Sequence, residues 1–388
     1  MTRANPSAPL YLVGYSTRAM AASARSAGYA PLSLDAFGDR DRGPGWTVPD
    51  FASRPEGLAQ VLRTLMSLDP GIVVWGSPFE NYPEALKQLA ARHTLWGSSP
   101  AAVANVRNWS LLTRFAALHG VKVPVTVRGG RVPRNGSWLI KPVRSGGGHH
   151  ILFAEHERAI PDGCVAQEYI VGHPVSYTFL ADGVRVLGGF WTQSWAPGPD
   201  FRYRGGVLDL RGPIPGARAG QALAQHLVQA FGLRGWCGLD FVAAENALYV
   251  LEVNPRWTGS VELWDVAANA SAFGATVEAM AGCPNPLPSL STAAGKRIVR
   301  APQDCRWRDP CPRIPGGQIH DLPWPGQPFE SGQPVCTLIV SAPRPEDVRT
   351  RLDAWEEEVL AWLRAQDGRQ TSRERRDVPR AMNSWFPR

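Results

Sequence analysis

Three polar residues interrupt an apolar, strand-like run near position 250, where the sequence reads ALYVLEVNPRWTGSVE. Glu252, Asn254 and Arg256 stand at every second position, and in a strand such positions project from one face. Burying a carboxylate without a partner is costly, so a buried Glu252 needs a cation or a ligand beside it. The pattern therefore predicts that this strand end carries chemistry and does not serve packing alone.

A second carboxylate is expected to face the first across a hairpin. The run GLDFVAA precedes the turn, and a three-residue turn over 245–247 would place Asp240 directly opposite Glu252. Like charges in that position, with Cβ atoms ~5 Å apart, destabilise each other unless a cation lies between them. Two carboxylates with the amide oxygen of Asn254 form an oxygen ligand set suited to Mg²⁺ or Mn²⁺. The alternative is a solvated edge hairpin whose charges face water.

A glycine-rich stretch further upstream, WLIKPVRSGGGHHI, has the composition of a phosphate-binding loop. Lys141, one of four lysines in the chain, ends an apolar strand, and Ser145 is followed by Gly146, Gly147 and Gly148. Glycines let backbone N–H groups approach phosphate oxygens closely, and a lysine at the strand end supplies positive charge. A lysine and glycine loop followed later by an acidic hairpin predicts a site for a metal-bound polyphosphate.

The surrounding pattern predicts two kinds of architecture. Strands and helices alternate from Tyr11 through about the first 95 residues, which favours a small open α/β domain with a parallel sheet. A single helical stretch is expected over 101–119. Beyond it, antiparallel strands mix with single helices, and the runs VAQEYIV and VSYTFLA read as a strand pair joined by GHP. This second part is of the α+β class.

Composition limits the class of protein without naming a function. The 388 residues are 44% hydrophobic, so the chain can bury a large core. The net charge is +7, and nearly all of the basic residues are arginines. Net charge bears on what a protein associates with more than on its fold. Six scattered cysteines do not form a disulfide framework, and no apolar run is long enough to cross a bilayer. We expect a cytoplasmic protein without a membrane partner.

Taken together, the motifs resemble those of the ATP-grasp superfamily, in the order IKP with its glycine loop, QEYI, GLDF and EVNPR. KPVRSGGGHHI, FRYRGG and EVNPRWTGSVE are also similar to predicted ATP-dependent carboligases related to biotin carboxylase. The resemblance implies a pre-ATP-grasp α/β domain over 1–98 and an ATP-grasp fold of two α+β subdomains over 99–285. A strand and helix extension over 286–367 and a basic tail over 368–388 would follow.

The resemblance also implies a nucleotide site. Lys141 would contact the α and β phosphates of ATP, and the loop from Ser145 to Gly148 would cover the triphosphate. Arg107 stands where a further phosphate-binding lysine is usual in the family. The hinge that recognises adenine would consist of four consecutive residues: Gln167, Glu168, Tyr169 and Ile170. The family often has an acidic residue for the ribose just after this hinge, where this chain has His173.

The catalytic and metal residues follow from the same resemblance. Asp240, Glu252 and Asn254 would hold one or two Mg²⁺ (or Mn²⁺) ions. Arg256 would steady the transferring phosphoryl group, and together with Lys141 it completes the expected catalytic set.

The reaction that the resemblance implies is carboxylate–amine ligation with ATP, through an acylphosphate. Substrates would be a small-molecule carboxylate and an amine, and Arg202, Arg204 and Arg256 are candidates to bind carboxylate groups. One alternative is ATP-dependent carboxylation through carboxyphosphate. Another is a non-catalytic nucleotide-binding or RNA-associated protein, which the basic tail would suit, although nucleic acid is not the expected partner. A homodimer is compatible with these readings.

Overall fold

The computed structural model describes residues 8–49, 51, 55–196, 198, 200–208, 214–290 and 292–367. The basic tail predicted over 368–388 lies outside the described residues. None of the helices in the described part of the chain combines the length and apolarity needed to span a bilayer.

The first domain is an open sheet of five parallel strands in the order β3-β2-β1-β4-β5. Its central strands are apolar runs buried on both faces, as expected for a parallel sheet. The α/β class predicted for this region is confirmed, whereas the short exposed strand β3 was not foreseen. The elements are β1 (Leu10–Val13), α1 (Arg18–Ser26), β2 (Pro31–Asp35), β3 (Gly45–Thr47), α2 (Pro55–Ser67), β4 (Ile72–Trp75), a 3-10 helix (Phe79–Asn81), α3 (Pro83–Ala90) and β5 (Thr94–Leu95).

Two short helices, α4 (Pro100–Val106) and α5 (Trp109–Leu118), connect this domain to the next. The prediction of one helix over 101–119 is wrong at Arg107 and Asn108, where the helical stretch is broken. The side chain of Asn108 accepts hydrogen bonds from the amides of Ser110 and Leu111, which caps a new helix at that point. The break places Arg107 in a connecting turn.

A sheet of four antiparallel strands follows, in the order β6-β9-β7-β8. Its strands are β6 (Thr126–Val127), β7 (Trp138–Pro142), β8 (Leu152–Phe153) and β9 (Cys164–Glu168). The strand VAQEYIV therefore pairs within this sheet. It does not pair with VSYTFLA as expected, because the GHP connection carries the chain into a different sheet.

The largest sheet has eight antiparallel strands, which lie side by side in the order β14 (Ala247–Asn254), β13 (Arg234–Ala244), β10 (His173–Asp182), β11 (Val186–Ser194), β12 (Gly205–Leu208), β15 (Ala293–Arg300), β19 (Pro334–Ala342) and β17 (Gly317–His320). One face of β10 and β13 packs against α4, α5 and α6, while α1, α7 and α8 join the first domain to the opposite side. The helices between its strands are α6 (Ala217–Phe231), α7 (Val261–Ala268) and α8 (Ala272–Met280).

The last part of the chain continues this sheet. Strands β17 (Gly317–His320) and β19 (Pro334–Ala342) extend it beyond β15, and α9 (Pro345–Asp367) covers the added strands. A separate ribbon pairs β16 (Cys305–Arg306) with β18 (Pro328–Phe329). Residues 286–367 thus share a hydrogen-bonded sheet with the segment before them, and the domain limits given above remain predictions.

Candidate active site

The hairpin of β13 and β14 brings Asp240 and Glu252 face to face, as predicted, but by a different route. The turn has two residues, because Ala244 pairs with Ala247, so the expected three-residue turn is wrong. A bulge between Asp240 and Phe241 then shifts the register by one residue. Without that bulge the partner of Asp240 would be a residue that projects from the opposite face. The bulge therefore creates the carboxylate pair.

The two carboxylates lie on a polar face that spans three strands. Ser176 on β10 is the cross-strand neighbour of Asp240 and donates a hydrogen bond to its Oδ1 at 2.6 Å. Nδ2 of Asn254 donates to Asp240 Oδ2 at 2.8 Å and to Glu252 Oε1 at 3.3 Å. Alternate residues of β13 such as Leu239 are buried in the core against α6. Ser176 was not predicted, since nothing in its local sequence distinguishes it.

Proximity of the carboxylates shifts their ionisation. Burial and the charge of Glu252 raise the pKa of Asp240 to about 7. Burial also acts to raise the pKa of Glu252, but the charges of Arg107 and Lys141 outweigh it and bring that pKa below its ordinary value. Asp240 thus takes up a proton far more readily than an ordinary carboxyl, and a divalent cation bound between the two groups would displace that proton.

Two cations face the carboxylate pair. Nη1 of Arg107 lies 3.5 Å from Glu252 Oε2, and its Nη2 donates to Asn81 Oδ1 at 2.8 Å. Nζ of Lys141 donates to Gln167 Oε1 at 2.9 Å. Burial lowers the pKa of Lys141, while the negative charges of Glu252 and Asp240 act in the opposite direction. The predicted phosphate-binding cations therefore lie beside the predicted metal ligands.

Arg256 is held by a residue that sequence reasoning missed. Its Nη2 forms a 2.7 Å ion pair with Oε1 of Glu80, and both side chains are almost fully buried. Nη2 also donates to Asn254 Oδ1 at 3.0 Å. Glu80 lies in the 3-10 helix after β4, and the carboxyl ends of strands in open α/β sheets are common ligand sites. The place of Glu80 just after an apolar strand was therefore the feature of the sequence that could have identified it as a site residue.

The glycine loop is enclosed by neighbours on both sides. Asn81 Nδ2 donates to the carbonyl of Ser145 at 3.3 Å, and the amide of Tyr203 donates to the carbonyl of Gly147 at 2.9 Å. Gly148 has φ +75°, and a Cβ there would lie 1.9 Å from the carbonyl oxygen of Phe201. The loop therefore lies between the first domain and the segment around Phe201, and this contact requires glycine.

The predicted hinge begins inside the site and leads out of it. Gln167 is buried and donates to Thr126 Oγ1 at 3.1 Å, while its Oε1 receives the bond from Lys141. Glu168 Oε2 accepts from the amide of Val125 at 3.2 Å. The ring of Tyr169 packs edge-on against Phe153, and Ile170 is half-buried beyond the strand end. Their contribution to adenine binding remains a prediction.

The arrangement of these residues fits a magnesium-bound triphosphate. Among the described residues no group of three His, Cys, Asp or Glu side chains could hold a metal, so a cation here would have two carboxylates. Mg²⁺ in proteins commonly has one or two carboxylates and completes its shell with water and phosphate oxygens. Asn254 turns its nitrogen to the carboxylates and its oxygen to Arg256, so its amide would have to rotate to serve as a ligand.

We expect the glycine loop to become more protected when nucleotide binds. Its present bonds leave the amides of Gly147 and Gly148 without a described acceptor, and phosphate oxygens would supply acceptors there. Hydrogen exchange at residues 145–149 should slow on adding MgADP. Residues 183–185, in the turn between β10 and β11, provide the internal control. Equal exchange at 145–149 with and without saturating MgADP would show that the glycines are a structural turn.

Comparison with known proteins relates this geometry to a family. Residues 108–260 match the family model described as an ATP-grasp domain. Among curated proteins no sequence is similar enough to be counted as a relative.

Several solved structures share the architecture. The biotin carboxylase domain of 2-oxoglutarate carboxylase from Hydrogenobacter thermophilus, solved with MgADP and bicarbonate, is 13% identical at a TM-score of 0.69, covering 89% of this chain and 88% of that one. Carboxyaminoimidazole ribonucleotide synthase from Aspergillus clavatus, solved with ATP, is 15% identical at 0.67 over 92% and 99%. L-amino acid ligase from Bacillus licheniformis is 14% identical at 0.65 over 90% and 97%. At these identities the likeness establishes the fold.

Proposed function

Because the chain contains an ATP-grasp domain within an ATP-grasp fold, we propose that it is a Mg²⁺-dependent, ADP-forming ligase that joins a small-molecule carboxylate to an amine. The observation that carries the proposal is the carboxylate pair of Asp240 and Glu252, which faces Lys141 and Arg107 beside the glycine loop. The solved structures with ATP or MgADP show that proteins of this fold bind such nucleotides.

Each group in the site would have a defined part in phosphoryl transfer. Asp240 and Glu252 would hold magnesium, whose positive charge offsets the charge that develops on the phosphates. Lys141, Arg107 and the amides of the glycine loop would bind and orient the triphosphate. The Arg256 guanidinium, fixed by Glu80, would face the transferring group as a preorganised positive charge. Such chemistry depends on positioning and electrostatics and needs no enzyme nucleophile.

The proposed reaction has two steps, phosphoryl transfer and amide formation, and neither step needs an oxidant or a reductant. An oxygen of the substrate carboxylate attacks the γ phosphorus, the bond from that phosphorus to the bridging oxygen breaks, and ADP leaves. The amine nitrogen then attacks the acyl carbon of the resulting acylphosphate, inorganic phosphate leaves, and the nitrogen loses a proton. An ionised carboxylate requires no general base for the first step.

Carboxylation is the second candidate, favoured by the likeness to a biotin carboxylase domain solved with bicarbonate. Bicarbonate would then replace the organic acid as the phosphoryl acceptor. The same residues would bind the nucleotide and the metal in both reactions, so the nucleotide site does not distinguish a ligase from a carboxylase. The identity of the phosphoryl acceptor distinguishes them.

We expect purified protein to release ADP from MgATP only when a particular carboxylic acid is supplied. A panel of small organic acids, each with and without an amine mixture, identifies that acid. With the acid labelled by ¹⁸O, label should appear in inorganic phosphate, because one carboxylate oxygen leaves with the phosphorus. A reaction that proceeds with all label retained in the organic product would contradict an acylphosphate. ADP release that depends on bicarbonate, with no organic acid required, would support the carboxylase instead.

A further inference from the structure

Three arginines gather beside the glycine loop, outside the set that faces the carboxylate pair. Arg202 and Arg204 flank Tyr203 in the segment that leads into β12, and Arg300 ends β15. Nη2 of Arg300 donates to the carbonyl oxygen of Tyr203 at 3.4 Å, which brings its guanidinium to the segment that carries the other two. Its Nη1 donates to the carbonyl of Gly332 at 3.0 Å, which fixes the side chain from the other end.

The positive charge of this arginine cluster, Arg202, Arg204 and Arg300, is only partly balanced. Asp200 Oδ2 lies 2.8 Å from Arg202 Nε. The other oxygen of Asp200, Oδ1, and Nη1 of Arg204 both lie beside Gly198, within 3.5 Å of where a Cβ on that residue would stand, so Asp200 and Arg204 are near neighbours without forming an ion pair. Among the described residues no other carboxylate forms an ion pair with any of the three. Within the described part of the chain, the cluster of three guanidinium groups therefore has a single carboxylate in an ion pair, and that pair involves Arg202.

Arg300 has unused binding capacity within the cluster. Its Nε is buried and has no hydrogen-bond acceptor among the described residues. Burial lowers the pKa of Arg300, and the charges of Arg202 and Arg204 lower it further. An anion bound among the three groups would relieve that repulsion and supply the missing acceptor.

The cluster adjoins the nucleotide site but uses different residues. The amide of Tyr203 bonds to Gly147 of the glycine loop, which places the cluster next to that loop. No described hydrogen bond or ion pair joins the arginine cluster to Lys141, Arg107 or Arg256, which face the carboxylate pair or Glu80. Arg256, the third arginine that the sequence offered as a candidate to bind a carboxylate, pairs with Glu80 in this structure, and its role toward a substrate stays a prediction.

We propose that Arg202, Arg204 and Arg300 form a subsite for an anionic group of the acid or amine substrate, separate from the group that reacts. The inference rests on the proposed ligase function and narrows its substrate class to molecules with an additional carboxylate or phosphate. Guanidinium groups suit both, because their paired N–H donors match the oxygens of either group. A dicarboxylate, an amino acid or a phosphorylated acid has the required form.

The test measures binding of small anions to the full chain saturated with MgADP. The probes are succinate, butyrate as the matched monocarboxylate, and inorganic phosphate, all titrated calorimetrically at constant ionic strength. Succinate or phosphate should bind more tightly than butyrate, and the tighter of the two identifies the group recognised. Arg300→Gln and Arg204→Gln should each weaken that binding about tenfold or more, as expected for loss of a charge-assisted hydrogen bond. Arg114→Gln, on the exposed face of α5, is the control.

Several outcomes separate failure of the subsite from failure of the proposed function. Equal binding of the probes to wild type and to both cluster variants would overturn the subsite. So would wild-type protein that binds MgADP but neither succinate nor phosphate. If the cluster variants lose affinity for MgADP by the same factor as for the small anions, the arginines bind the phosphates of the nucleotide and the subsite is overturned. Wild-type protein that does not bind MgADP at all would instead contradict the ligase proposal. Arg204→Gln keeps the test decisive if Arg300→Gln disturbs folding, because no described hydrogen bond involves the side chain of Arg204.

Discussion

Replacing Glu252 with glutamine is expected to lower ATP turnover by on the order of a thousandfold, the size of effect seen when a charge-stabilising group is removed from an active site. Glutamine keeps the shape of the side chain but removes the charge needed to hold magnesium opposite Asp240. The backbone pairing of β13 and β14 does not depend on that charge. The rate of ADP release measures the loss of turnover, and the rise in melting temperature on adding MgADP measures the loss of magnesium-dependent nucleotide binding.

The matched control is Glu245→Gln in the turn of the same hairpin, where the carboxylate is exposed. It should leave turnover and the MgADP-induced shift unchanged. The melting temperature without nucleotide should fall only slightly in Glu252→Gln. The change removes the charge that offsets Arg107 and Lys141, but it also removes the repulsion between Glu252 and Asp240. Near-normal ADP release from Glu252→Gln protein would exclude Glu252 as a metal ligand.

Replacing Lys141 with methionine is expected to raise the Kd for MgADP about ten- to a hundredfold, since a charged hydrogen bond contributes about 1.5–3 kcal/mol. The apo protein should respond differently. Burial lowers the pKa of Lys141 below its unfolded value, so the charged form destabilises the folded state at any pH below that lowered pKa. Methionine fills the same buried space without a charge, and the melting temperature without nucleotide should be unchanged or higher.

The control is Lys87→Met on α3, where the side chain is exposed and pairs only with Glu84 among the described residues. Nucleotide titration and thermal melting of the three proteins decide between a binding role and a structural one. If the melting temperature and the nucleotide affinity of Lys141→Met fall together, Lys141 supports the fold and does not bind phosphate.

Local pattern was sufficient where function depends on neighbours in sequence or on a repeating spacing. The parallel direction of the strands in the first sheet follows from apolar strands alternating with helices, and the structure confirms it. The facing of Asp240 and Glu252 was predicted from hairpin geometry and is also confirmed, although a two-residue turn and a bulge replace the expected turn. A bulge leaves little trace in composition, because the extra residue, Leu251, is an apolar residue of the kind expected anywhere in such a strand.

Contacts between distant segments were beyond what the pattern could predict. VAQEYIV and VSYTFLA look like a hairpin, yet they belong to different sheets, because the GHP connection joins two layers of the fold. The break between α4 and α5 was also missed, since the cap that Asn108 supplies competes with an otherwise continuous helical pattern.

The sequence by itself determined the chemical groups of the site: the acidic hairpin at Asp240 and Glu252, and the glycine loop with its lysine. These are short-range features, because strand periodicity and loop composition act over a few residues. Only the tertiary structure decided that Glu80 of the first domain pairs with Arg256 and that Arg300 joins Arg202 and Arg204. Such partners are chosen by the packing of whole sheets and domains against one another, and local spacing carries no information about which distant side chain that packing brings near.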